Sequence, residues 1–192
     1  MWEKRLAQAI AKKCVHSGVI QSEPVLCFGF ELIITTFIGV GAIFLIAILA
    51  EKPWACIPFL LGFAPIRKYA GGYHATTHFR CHIISAVIFS MCLFASSCLD
   101  VRCEGLLIIG IINWIVILIL APISARNKPL SNQRMSKNRT MSIIIASIET
   151  VLAFGFFVLK ASNGVAEIFY LGALSATVSL VIAKIDNEFR RG

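Results

Sequence analysis

Fifteen consecutive residues, Arg67-Lys68-Tyr69-Ala70-Gly71-Gly72-Tyr73-His74-Ala75-Thr76-Thr77-His78-Phe79-Arg80-Cys81, place two histidines, a double glycine, a thiol and several cations between two apolar runs. A thiol attacks a carbonyl as its thiolate, which at neutral pH needs a base or a positive field beside it. Cys81 has both close in sequence: His74 and His78 as bases, and Arg67, Lys68 and Arg80 as the field. If the apolar run that follows starts as a helix capped by Thr76 or Thr77, Cys81 falls about one turn inside it, where the positive helix end adds to that field. Gly71 and Gly72 can turn the chain and let backbone approach closely. The chemistry indicated is nucleophilic catalysis by cysteine.

Two histidines compete for the role of base. On a continuous helix His78 and Cys81 are three residues apart and adjacent. His74 shares their face but is separated from Cys81 by about 10 Å of rise, beyond hydrogen-bond reach. Spacing alone leans towards His78; His74 can serve if the chain beside the double glycine is non-helical and folds back. His74, His78 and His82 also recur every fourth residue, a stripe that with Cys81 has the donors for zinc or copper. It lacks the glutamate of an HExxH site, and neither a metal nor another cofactor is assigned. Cys14 and His16, two apart, point away from each other on a helix.

The elements that must position this segment belong to a membrane protein. Of 192 residues, 58% are hydrophobic and 15% charged, with a mean hydropathy of +0.82, and the charges cluster between runs long enough to cross a bilayer. The expected fold is all-α and polytopic: one membrane-embedded domain over residues 1–192, with an amphipathic helix and linker at 1–24 and a bundle of six transmembrane helices over 25–192. At the N-terminus Trp2, Leu6, Ala9, Ile10 and Cys14 oppose Lys4, Arg5, Gln8 and Lys12, the pattern of a helix in the headgroup plane. It has no apolar h-region, so the first span is expected to act as its own insertion signal. The six runs cover about 32–50, 53–66, 83–99, 106–123, 141–159 and 165–185. The second, carrying Pro53, Pro58 and Pro65, is expected to be tilted, broken or re-entrant.

A net charge of +8 invites nucleic acid as a partner, but the cations are divided among short loops rather than gathered on one face. Membrane lipids are the expected partner instead, and nucleic acid is not. With the N-terminus inside and six crossings, fifteen of the eighteen Lys and Arg residues lie on the cytoplasmic side; Lys52, Arg102 and Lys160 lie outside. That bias supports both termini inside. It puts Arg67–Cys81 and the basic loop over 124–139, with Arg126, Lys128, Arg134, Lys137 and Arg139, on the same face. Glu149 falls mid-span, where it would meet a substrate cation or pair with Asn113 or Ser147. Glu31 lies at the edge of the first span, and Glu167 and Lys160 are expected to be solvated at the external end. Gly39, Gly41 and Gly110 are expected at close helix contacts. Seven cysteines without a CxxC pair argue against a disulfide framework.

The run Arg67-x-x-x-Gly71-Gly72-x-His74-Ala75-x-x-x-x-x-Cys81 resembles the signature of the AgrB family, the accessory gene regulator B membrane peptidases of Gram-positive bacteria. The likeness extends over the whole length: amphipathic N-terminus, six spans, and a basic cytoplasmic loop with Ala121-Pro122 and Lys128-Pro129. The resemblance implies Cys81 as nucleophile and His74 as general base, with Arg67, Gly71 and Gly72 in support and His78 and His82 outside the pattern. It also implies a location in the bacterial cytoplasmic membrane and an AgrD-like precursor peptide, cleaved and then closed into a thiolactone or lactone for quorum sensing. Lys68, Arg126, Lys128, Arg134, Lys137, Arg139 and Glu149 are the candidate substrate contacts. A homodimer is an admissible assembly for so small a membrane peptidase. Two other classes stay open: a small peptide transporter, motivated by six spans and Glu149, and a non-catalytic membrane scaffold.

Overall fold

A computed structural model describes residues 2–16, 22–72, 78–98, 102–123, 131–159 and 164–189, among which every regular element is helical. The cause is the solvent: in lipid a backbone must satisfy its own N–H and C=O groups, and a helix does so within one segment. In chain order the helices are α1 (Trp2–His16), α2 (Glu23–Leu49), α3 (Cys56–Ala70), α4 (His78–Cys98), α5 (Cys103–Leu120), α6 (Asn132–Val158) and α7 (Gly164–Phe189). A 3-10 turn, Pro53–Ala55, precedes α3.

By length and hydropathy four of these, α2, α4, α6 and α7, can cross a bilayer. The chain is therefore a multi-pass membrane protein: among the described residues, four of the six expected spans are long and apolar enough to cross. The other two apolar runs form shorter helices. α5 is apolar over Glu104–Leu120. α3 has 15 residues, or about 22 Å of rise against a hydrocarbon core of about 30 Å. Its Pro65 lies inside the helix, where it removes the bond to the carbonyl four residues back, and α3 ends five residues later at the double glycine.

Two helices begin earlier than hydropathy suggests. α2 starts at Glu23 with Pro24 in its first turn, a place where the missing N–H costs nothing. α6 starts at Asn132 because Ser131 caps it, its hydroxyl accepting from the Arg134 N–H at 3.4 Å. The stretch expected as basic loop up to Arg139 is thus helical from Asn132, and Arg134, Lys137 and Arg139 stand exposed on it.

α7 is the central helix: 56% of its apolar window is buried, against 17–22% for the other candidate spans. Its buried side carries small residues, among them Gly172, Ala173, Ala176 and Ala183. α3 crosses it on a glycine pair. A Cβ on Gly172 would stand 2.8 Å from the Phe59 carbonyl oxygen, and one on Gly62 would strike the Phe169 carbonyl oxygen. Lipid supplies no hydrophobic drive between helices, so such close backbone approach is what holds them. Of the glycines expected at contacts, Gly39 lies against the His82 ring and Gly110 against Ala153, whereas Gly41 faces open space.

Two expectations about polar surfaces change. Glu167 is buried rather than solvated and accepts from the Ser96 hydroxyl at 3.4 Å, joining α7 to α4; Lys160 lies outside the described residues. α1 packs along α2 through a narrow stripe of Ala7 and Ala11, both fully buried. Leu6 and Ala9, expected on its apolar face, remain exposed beside it.

Candidate active site

The candidate residues lie at the end of α3, at the start of α4 and on α7, which packs against both helices. Arg67 lies in the last turn of α3, and its guanidinium carbon sits 5.7 Å from the centre of the Phe63 ring one turn back. From there Nη1 donates to the Ser179 hydroxyl on α7. A long flexible side chain is thereby fixed at two points, over an aromatic face and on a neighbouring helix. Lys68 turns elsewhere, its ammonium 5.1 Å from the centre of the Tyr69 ring.

The double glycine follows directly. Gly71 has φ +90° and ψ −155°, and Gly72 has φ +147°. The first lies in a region open essentially to glycine alone. Space imposes the same restriction: a Cβ on Gly71 would strike the Ile123 carbonyl oxygen, and one on Gly72 would stand 2.6 Å from Arg67 Nη1. The Ile123 N–H donates to the Ala70 carbonyl at 2.9 Å, so the end of α3 is tied to the segment that leaves α5. α3 therefore ends at a fixed place, with Gly72 against Arg67.

Cys81 is the fourth residue of α4, half-buried and with a free thiol. The expected depth, about one turn inside the helix, is observed. Arg80 beside it is exposed. His74 lies outside the described residues, as do Tyr73, Thr76, Thr77, Arg126 and Lys128; so does the side chain of His78. His82 is the histidine whose ring is described, and it packs on Gly39 of α2. Among the described residues no group of three or more His, Cys, Asp and Glu gathers as metal donors would.

Ser179 is the site residue that sequence reasoning missed. It is a small hydroxyl in an apolar run, 112 residues from Arg67, and nothing local marks it. Glu149 is placed differently from the rest. It is 4% exposed, Asn113 is 1% exposed, and neither carboxylate oxygen nor either side-chain polar atom of Asn113 has a hydrogen-bond partner. The expected pairing with Asn113 or Ser147 does not form: Ser147 accepts instead from the Trp114 indole N–H at 3.0 Å. The Glu149 backbone carbonyl accepts from the Tyr170 hydroxyl at 2.7 Å, a hydrogen bond between α6 and α7.

The family description "Accessory gene regulator B" matches residues 3–180 of the chain. Among similar proteins, the accessory gene regulator protein B of Staphylococcus carnosus is 26% identical over 108 residues, 56% of each chain. The protein of the same name from Staphylococcus aureus is 25% identical over 125 residues, 65% of this chain and 67% of its own. An AgrB-like protein of Clostridium perfringens is 24% identical over 125 residues, 61% of this chain and 58% of its own. The chain thus spans little more than half the length of several of these relatives. No solved structure matches it.

Proposed function

Because this chain belongs to the accessory gene regulator B family, we propose that it is a membrane cysteine endopeptidase of a quorum-sensing system, processing an AgrD-type precursor peptide. One observation carries this reading. A half-buried thiol in the first turn of α4 follows a double glycine in conformations suited to glycine, against an anchored arginine.

In the proposed reaction His74 takes the proton of the Cys81 thiol. The thiolate adds to a carbonyl near the C-terminal side of the precursor, forming a C–S bond. The tetrahedral intermediate then expels the C-terminal tail: the C–N bond breaks, and His74 returns the proton to the leaving amine. An internal cysteine or serine of the precursor attacks the resulting thioester, closes the ring and frees Cys81. With an internal cysteine, thioester is exchanged for thioester, so this second step is close to isoenergetic. A site at the membrane interface, short of water, favours cyclisation over hydrolysis of the thioester.

Arg67 is proposed as a positioning residue, held by Ser179 so that the turn at Gly71-Gly72 delivers His74 towards Cys81. The exposed cations Arg134, Lys137 and Arg139 at the start of α6, with Lys68, Arg126 and Lys128, would steer an acidic precursor tail. We place the enzyme in the bacterial cytoplasmic membrane with six crossings, α3 and α5 being the short ones. Both termini and the site face the cytoplasm, and α1 lies at the lipid headgroups. The test is co-expression of an AgrD-type precursor with the wild type, Cys81→Ala, His74→Ala and His78→Ala, with cleavage followed by mass. Cleavage should vanish in the first two variants and persist in the third. Wild-type cleavage by Cys81→Ala refutes the peptidase, and export that persists without cleavage supports a transporter.

A further inference from the structure

Between α4 and α7 runs an apolar groove of about 400 Å³, walled by Ile84, Ile88 and Met91 on one side and Leu174, Val178 and Ile182 on the other. Its size lies within the range of ligand pockets, about 300–1,000 Å³. Two features tie it to the candidate nucleophile. The α4 wall residues stand three, seven and ten positions after Cys81, so the thiol occupies the same helical face one turn before the groove begins. Ser179, the hydroxyl that anchors Arg67, also lines the groove, so the cation sits at its wall. From Ile84 to Ala95 the groove extends for about 16 Å of helix rise. Met91 and Val178 are open to whatever lies in it, at 65% and 48% exposure.

We propose that this groove is the acyl-side subsite of the enzyme: it takes apolar side chains of the peptide on the N-terminal side of the bond that Cys81 attacks. This rests on Cys81 being the nucleophile. The geometry decides which side of the bond is held. The tail that leaves must depart into water, where the exposed cations of α6 lie, whereas the acyl portion stays bonded to Cys81 and the groove leads away from that atom along α4 and α7. The substrate class follows: a peptide with several consecutive aliphatic residues before the scissile carbonyl, and a polar or acidic segment after it. Lipid chains also fit an apolar groove, but the alignment with Cys81 favours a substrate.

The test uses the full-length protein in micelles and two synthetic peptide thioesters of equal length, one with four leucines before the thioester and one with four serines. Cys81 displaces the small thiol of each probe, exchanging one C–S bond for another, and loading is read at Cys81 by mass. The leucine probe should load about tenfold faster, the discrimination typical of an apolar pocket. Met91→Trp and Val178→Trp, which fill the groove from opposite walls, should each erase that preference. Phe94→Trp, at a residue outside the groove, should keep it, and iodoacetamide should alkylate Cys81 equally in all four proteins. Equal loading of both probes by wild type, or a preference surviving in both tryptophan variants, overturns the groove and leaves Cys81 as nucleophile. Alkylation without loading by either probe overturns the nucleophile itself. In phosphatidylglycerol vesicles, a photoreactive benzoylphenylalanine at position 91 should capture the leucine probe. Capture of lipid alone, or of a second copy of the chain, overturns the assignment.

Discussion

Gly72→Ala should destabilise the protein partly through another residue. At φ +147° a side chain in place of hydrogen costs about 1–3 kcal/mol of backbone strain. The new Cβ would also stand 2.6 Å from Arg67 Nη1 and 3.1 Å from Ser179 Oγ. Of these the guanidinium gives way, because it is the far end of a long side chain. Its displacement breaks the bond to Ser179, a hydrogen bond from a charged donor worth about 1.5–3 kcal/mol. The expected total is therefore about 2.5–6 kcal/mol. In an Arg67→Ala background the guanidinium is already gone, and Gly72→Ala should cost the strain alone, about 1–3 kcal/mol. The double variant should then be more stable than the sum of the singles implies, by about 1.5–3 kcal/mol. The assay is reversible unfolding in mixed micelles, followed by circular dichroism for wild type, both single variants and the double. Additivity within about 0.5 kcal/mol would show that Gly72 does not abut Arg67, and the proposed role of Ser179 as anchor would fall with it.

The remaining expectations use other parts of the bundle. Gly62→Ala should destabilise by about 1–3 kcal/mol, since its Cβ meets the Phe169 backbone; Gly41→Ala, facing open space, should be neutral or stabilising by up to about 1 kcal/mol. The same unfolding assay reads both, and equal effects would refute the glycine crossing of α3 on α7. Glu149→Leu should raise stability by about 1–3 kcal/mol by removing a buried carboxyl without partners. Glu149→Gln should leave precursor cleavage unchanged, and loss of cleavage in a folded protein would return Glu149 to the substrate. Replacing Arg134, Lys137 and Arg139 together with Gln should lower kcat/KM for a precursor with an acidic tail by about tenfold at low salt. That difference should shrink at 1 M salt, where charges are screened beyond about 3 Å; a salt-independent loss would point to folding instead of steering.

Much of this arrangement is legible in sequence because the bilayer enforces it. Each apolar run became a helix, and the double glycine marked the turn beside Arg67. Cys81 fell about one turn into α4, the depth expected if that helix starts beside Thr77. Hydropathy misjudged the helix starts at Glu23 and Asn132, since a membrane helix continues into water wherever caps and good helix formers allow. Among the described residues helix length alone supports four of the six expected crossings, because α3 and α5 are apolar but short. What depends on crossing geometry left no local trace. Ser179 becomes a partner of Arg67, and Gly62 a neighbour of Phe169, only once α3 lies across α7. Glu167 read as a solvated terminal charge because its partner, Ser96, belongs to another helix.

The central claim is a covalent bond at one sulfur, so the most direct measurement is the mass of Cys81 during turnover. With an AgrD-type precursor whose internal nucleophile is changed to alanine, ring closure is blocked and the acyl-enzyme should accumulate. The peptide containing Cys81 should gain the mass of the precursor's N-terminal portion, lose it on treatment with hydroxylamine, and show no gain in His74→Ala. Release of the C-terminal tail with no adduct ever forming at Cys81 would contradict the account.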